Sequence, residues 1–167
     1  DVLPTIETTD ELMVDWFSEA GYHTRFAGTG LFTQESFNVV NRFDYAYPDD
    51  LSPAEGVTNR IIDQVQTARD KGQPWYVQGH YFDPHIPYDS TPAAYQDEVN
   101  KLPELDGKYA VHTNWLASAM PDLWDTYDAE TQELILQHVD AWYRGEIRYV
   151  DDQIERLMNT LDGLGAL

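Results

Sequence analysis

Leu12, Trp16 and Ala20 recur every four residues, with Met13 and Phe17 beside them, and predict an amphipathic helix over residues 8–20. Thr8-x-x-Glu11 has the form of a capping box that opens it, and Gly21 is placed to stop it. Thr24–Thr29 then reads as a short strand, with Gly28 and Gly30 marking the turn after it. Residues 31–51 lose any clear period and read mostly as loop, carrying aromatics at Phe32, Phe37, Phe43, Tyr45 and Tyr47. Ser52-Pro53-Ala54-Glu55 puts Ser at an N-cap, Pro at the first helical position and Glu at the third. The helix it opens runs to about Lys71, with Val57, Ile61, Val65 and Ala68 on one face, and Gly72 ends it.

Trp75–Phe82 reads as a buried strand, and Pro84 and Pro87 enforce a turn directly afterwards. A short helix is expected over 92–99 and another around 114–120, with loop between them. From about Asp128 to Leu161, apolar residues from Leu134 to Leu161 recur at spacings of three and four. They predict a long helix that Gly145 would bend or split. The alternation of helix and strand implies an α/β fold, a parallel sheet with helices on its faces. Only two strands are clear, and two parallel strands make a poor sheet. The expectation is one partial domain over 1–167 with an incomplete sheet. Its exposed edges are expected to drive self-association at high salt, which light scattering across a salt series reads.

Composition narrows the partners. The 167 residues are 42% hydrophobic, enough for a core, and 13% aromatic, which excludes a disordered chain. Thirty acidic residues against 10 basic ones give a formal charge of −20. Nucleic acid and anionic membrane surfaces are therefore excluded as expected partners, since phosphate binding needs clustered Lys and Arg. The acidity is dispersed, and Lys occurs only at Lys71, Lys101 and Lys108. A surface of that kind suits a soluble protein working in high salt, where self-repulsion is screened. Cysteine is absent, so no disulfide frame or thiolate metal site exists.

Chemistry concentrates in His80-Tyr81-Phe82-Asp83-Pro84-His85-Ile86-Pro87-Tyr88, at the carboxyl end of a predicted strand. Ligands of open α/β sheets bind at such ends. An imidazole held between two prolines can donate to an anionic oxygen or pass a proton to a leaving group. By spacing alone the stretch reads more readily as an ordinary strand-end turn, with Asp83 capping amides and the His residues exposed. H-x-x-D-x-H is also compatible with a metal site. His23 and His138 read as surface or satisfied groups beside predicted helices. Asp151-Asp152 is a poor metal pair, because helical neighbours point about 100° apart. Asp152 reads instead as the partner of Arg148 four residues back. The Trp and Tyr residues of the last helix read as core.

The stretch resembles the "DPH-x-PY" motif of the sulfatase family, within the alkaline-phosphatase superfamily. Leu3-Pro4-Thr5-Ile6 followed by Glu19-Ala20-Gly21-Tyr22-His23-Thr24 is similar to that family's entry segment. Lys71-Gly72-Gln73-Pro74-Trp75-Tyr76-Val77 resembles the run into its central strand. Residues 143–157 resemble its "Y-x-x-E-I-x-Y-V-D-x-x-I-x-x-L" helix. The resemblance implies part of a parallel-sheet catalytic domain that hydrolyses small-molecule or glycan sulfate esters. It implies a formylglycine nucleophile and calcium or another divalent metal, neither held by this chain. His85 would lie at the sulfate as the catalytic and substrate-binding residue. Asp83 and Pro84 would support it, and His80 would lie behind it or in the core.

The chain departs from the family pattern in two places. No Ser is followed by the rest of the C/S-x-P-x-R nucleophile motif. Gly28-Thr29-Gly30-Leu31 stands where many members carry G-K-W-H. The chain by itself is therefore expected to be inactive. Phosphodiesterase, phosphonate hydrolase or phosphoglycerol-type transferase activity stays open within the superfamily, as does a non-catalytic binding role.

Overall fold

The computed structural model describes residues 7, 9–29, 38–49, 52–88, 91–106, 109–113 and 115–167. The chain divides into two compact units, one of residues 1–82 and 153–167, the other of residues 83–152.

The first unit is built on a parallel sheet of β1 (His23–Thr29), β2 (Tyr45–Asp49) and β3 (Trp75–His80), in the order β2-β1-β3. Arg25 of β1 stands opposite Tyr45 on one side and Val77 on the other. Thr24, Arg25, Phe26 and Ala27 are all buried, as befits a central strand covered on both faces. Alternate residues serve opposite faces. Ala27 packs with Val57, Ile61 and Val65 of helix α2 (Ala54–Asp70) and with Leu161. Phe26 packs with Val40, Phe43 and Val14 of helix α1 (Met13–Glu19).

The direct parallel pairing of the two predicted strands is observed. The third strand, β2, corrects the reading of 31–51 as mostly loop. It was hidden because it is short, exposes Tyr45 and Tyr47, and includes Pro48, which cannot donate to a ladder. These are properties of an edge strand. β3 also differs from expectation. It stops at His80, with Trp75–Gln78 half-buried and Gly79 and His80 exposed. Close packing explains its glycine, since a Cβ at Gly79 would lie 2.4 Å from the Ile61 side chain.

Helix α1 is shorter than predicted and turned differently. Its entry is set by Asp15, whose carboxylate accepts the Leu12 N–H at 2.8 Å and pairs with Arg42 at 2.7 Å. That backbone bond, helped by Arg42, holds the Asp15 carboxyl below its ordinary range. Glu11 instead accepts from the Trp16 indole at 3.4 Å, and Thr8 lies outside the described residues. The predicted face of Leu12, Trp16 and Ala20 is not the buried one. Val14 is 3% exposed while Trp16 is 59% exposed. Phe17 stacks on Tyr76 of β3 at 4.2 Å, so the helix is rotated to place Val14 and Phe17 on the sheet.

Helix α2 begins one residue later than predicted, with Pro53 as the N-cap, and buries the predicted Val57, Ile61, Val65 and Ala68. Both predicted stop glycines, Gly21 and Gly72, take positive φ (83° and 66°), which spares them the Cβ clash.

The second unit has short helical pieces ahead of one long helix. Single 3-10 turns at Ala93–Tyr95 and Val99–Lys101 stand where a helix was predicted over 92–99. Around 114–120 the helix is broken into α3 (Trp115–Ser118) and α4 (Met120–Leu123), with Pro121 starting the second piece. Asn114 lies outside the described residues. The long helix α5 (Ala129–Gly163) is continuous, so Gly145 does not split it. Asp128 opens it by accepting the Thr131 N–H at 2.8 Å. Residues of α5 up to 152 belong to the second unit. Those from 153 belong to the first, where Arg156 donates to Asn59 at 2.8 Å. Among the described residues no helix is long and apolar enough to cross a membrane.

Candidate functional site

Residues 83–88 open the second unit. The peptide bonds before Pro84 and Pro87 are both cis. Asp83 is buried, Pro84 is half-buried and His85 is exposed. The Nδ1 of His85 is hydrogen-bonded to the carbonyl oxygen of Ile86. A carbonyl only accepts, so Nδ1 carries the hydrogen and donates. That bond holds the ring against its own loop. An exposed imidazole with one nitrogen tied to its own loop can serve as acid, base or hydrogen-bond donor to an anion.

The far end of the loop is tightly held. Tyr88 is buried, and its N–H donates to the His112 carbonyl at 2.7 Å. Thr91 turns back onto Tyr88, with its N–H at 3.3 Å and its hydroxyl at 2.8 Å from the Tyr88 carbonyl. The Thr91 hydroxyl is also hydrogen-bonded to the Glu146 carboxyl of α5, and Glu146 is 1% exposed. The Thr91 carbonyl accepts from Gln96 at 2.7 Å. Burial raises the Tyr88 phenol above its ordinary value, and the neighbouring Tyr143 and Glu146 add to the rise.

The same stretch of α5 holds the 3-10 turn at Ala93–Tyr95. Arg148 donates to the Tyr95 carbonyl at 3.1 Å and pairs with Asp97. Tyr95 donates its hydroxyl to Asp152 at 2.8 Å. The expected attraction of Asp152 for Arg148 is present electrostatically, but each takes its close bond elsewhere. A tertiary partner wins for each because the turn brings Asp97 and Tyr95 against the helix. Tyr149 is buried against the Tyr95 ring at 5.2 Å, as core rather than as a stacking platform. His138 is buried and satisfied by the Pro103 carbonyl at 2.9 Å. His23 bonds to Arg25 at 2.9 Å and Asp44 at 3.3 Å.

Gly145 has a packing reason. A Cβ there would lie 2.6 Å from the Tyr95 carbonyl oxygen, which is backbone and cannot swing aside. Helix propensity alone favours alanine over glycine by about 1 kcal/mol. We expect Gly145→Ala to reverse that sign and lower the stability of the second unit by roughly 1–2 kcal/mol. Hydrogen exchange of amides around 93–97 and 141–149 measures it, and a stabilised variant would contradict the close approach.

The structure places Asp83, Pro84 and His85 in one loop, and His80 in the first unit at the exposed end of β3. His80 is therefore not a core residue. Its Cβ would lie 2.8 Å from a Cβ at Gly28, the residue opposite it on β1. Sequence reasoning gave Thr91 no role, read Gly145 only as a bend and met Glu146 only as one letter of the family's helix motif. The signal for the last two was a glycine beside an acidic residue in the middle of an otherwise regular helix. Among the described residues, no group of three or more His, Asp or Glu is arranged to hold a metal ion.

The architecture is of the α/β class with a parallel sheet, and the model of the family described as Sulfatase matches residues 3–166. The chain belongs to the sulfatase family, within the alkaline-phosphatase superfamily, whose members generally use divalent metals. Among solved structures, the fold is similar to that of BT4656 in complex with its substrate D-glucosamine-2-N,6-O-disulfate. The TM-score is 0.66 at 16% sequence identity, over 98% of this chain and 48% of that one. The chain thus spans about half the length of that structure. No curated protein matches the chain significantly.

Proposed function

We propose that this chain is the central segment of a sulfatase that hydrolyses small-molecule or glycan sulfate esters, with His85 as its active-site imidazole. The observation that carries the reading is the family match over residues 3–166. The sulfated sugar bound by BT4656 supports the substrate class. The tie between His85 Nδ1 and its own loop supports its role. With Nδ1 engaged by the Ile86 carbonyl, Nε2 is the atom to donate to a sulfate oxygen or to protonate the leaving alcohol. Asp83 and Pro84 position that imidazole from inside the loop. The nucleophile comes from outside these residues, because no Cys and no complete C/S-x-P-x-R sequence occurs here, and a divalent metal, calcium or another, is implied by the family.

Without an attacking group or a charge-stabilising ion little rate enhancement remains. The 167-residue chain assayed alone against aryl sulfates, with calcium, magnesium or zinc added, is expected to show no turnover above buffer. The intact protein is expected to cleave aryl sulfates in preference to aryl phosphates. The comparison with phosphate matters because Gly28-Thr29-Gly30-Leu31 replaces the G-K-W-H of many sulfatases. Robust turnover by the chain alone would overturn the segment reading. A preference for phosphate in the intact protein would move the assignment to a phosphoryl-transfer branch of the superfamily.

A further inference from the structure

We propose that Glu146 is a positioning residue for His85, acting through Thr91 and Tyr88; the proposal rests on the reading of His85 as the active-site imidazole. Glu146 lies in the middle of α5, 1% exposed, a setting in which an ionisable side chain is costly to keep. An apolar pair of the same shape would fill the space with a smaller desolvation penalty. What the polar pair adds is direction. The Thr91 hydroxyl lies within bonding distance of both the Glu146 carboxyl and the Tyr88 carbonyl and shares its single hydrogen between them, while the Thr91 N–H donates to the Tyr88 carbonyl as well. On its other side Tyr88 is held by the bond from its N–H to the His112 carbonyl.

Tyr88 is three residues from His85, and one of the two residues between them is Pro87, whose φ is fixed by its ring. Few soft dihedrals separate the clamp from the imidazole. A displacement of Tyr88 is therefore carried along a stiff link to the His85 ring and to its bond with the Ile86 carbonyl. Misplacement of a reacting group by about 1 Å can cost on the order of 10²-fold in rate. Glu146 itself touches no substrate in this scheme. It sets the angle at which Nε2 of His85 is presented.

The test uses the intact protein and four variants, Thr91→Val, Thr91→Ser, Glu146→Ala and Glu146→Gln. Thr91→Val keeps the volume and removes the hydroxyl, so it stays informative even where Glu146→Ala fails to fold. The expected result is a fall in kcat of about 10- to 100-fold for Thr91→Val and Glu146→Ala on an aryl sulfate, with KM changed by less than about threefold. Thr91→Ser and Glu146→Gln, which can keep the bond, should restore most of kcat. Nitrogen-15 NMR of the His85 ring gives a readout independent of activity, because loss of the Nδ1–H to Ile86 bond shifts the tautomer signals. Wild-type His85 signals and wild-type kcat in Thr91→Val would overturn the proposal. Altered His85 signals in a protein whose activity does not depend on His85 would keep the clamp and sink the sulfatase role of His85 instead.

Discussion

His85→Ala in the intact protein is expected to lower kcat/KM on its sulfate ester by about 10²–10⁴-fold, the range for losing a positioned acid or base. The loss should fall mainly on kcat if Nε2 protonates the leaving oxygen, and mainly on KM if it only binds sulfate. The side chain is exposed, and its bond from Nδ1 stays within its own loop. Its removal should therefore leave the melting temperature almost unchanged. His138→Ala is the contrasting control. That ring is buried and bonded to the Pro103 carbonyl, so the variant should lose stability while keeping turnover. Substrates with good leaving groups need less protonation, so the deficit of His85→Ala should shrink as the leaving-group pKa falls. A His85→Ala enzyme with wild-type kcat/KM on both good and poor leaving groups would remove the imidazole from the reaction.

The parts of this fold that were legible in the sequence are those where local chemistry and tertiary packing agree. Helix α2 carries its apolar buried face at spacings of three and four, and its stop glycine adopts the positive φ that the residue type announces. β1 and β3 follow the same rule. Illegible elements are those whose stability comes from distant partners. The entry of α1 is fixed by Asp15 and Arg42, 27 residues apart, and no capping pattern near Thr8 and Glu11 contains that information. β2 exists because β1 offers a ladder, not because Tyr45-Ala46-Tyr47-Pro48-Asp49 prefers to be extended. The site divides in the same way. The loop of Asp83, Pro84 and His85 was visible as a motif. Thr91 and Glu146, 55 residues apart, become one unit only when α5 packs against the segment after the loop. Gly145 beside Glu146 recorded that packing in the sequence, since glycine in mid-helix is unfavourable unless something approaches closely.

Phe26→Ala is expected to cost the first unit about 3–5 kcal/mol, the usual range for emptying a buried aromatic site. Phe26 is 1% exposed on the central strand, and its ring lies 5.4 Å from that of Phe43 and packs with Val14 and Val40. The ring also fills the space left by Gly28, where a Cβ would come within 2.6 Å of it. Collapse of the cavity is opposed from two sides. β1 is fixed between β2 and β3, and Gln64 of α2 donates to the Phe26 carbonyl at 3.0 Å, holding the backbone in place. A cavity that cannot collapse keeps its full penalty. The counterpart is Trp16→Ala, which removes a larger ring that is 59% exposed and should change stability by less than about 1 kcal/mol. Hydrogen exchange of the β1 and β3 amides in the intact protein measures both variants. It reports opening of this unit separately from the second. Equal protection in Phe26→Ala and Trp16→Ala would mean that Phe26 does not anchor the sheet, and that the face of β1 toward α1 is looser than its burial implies.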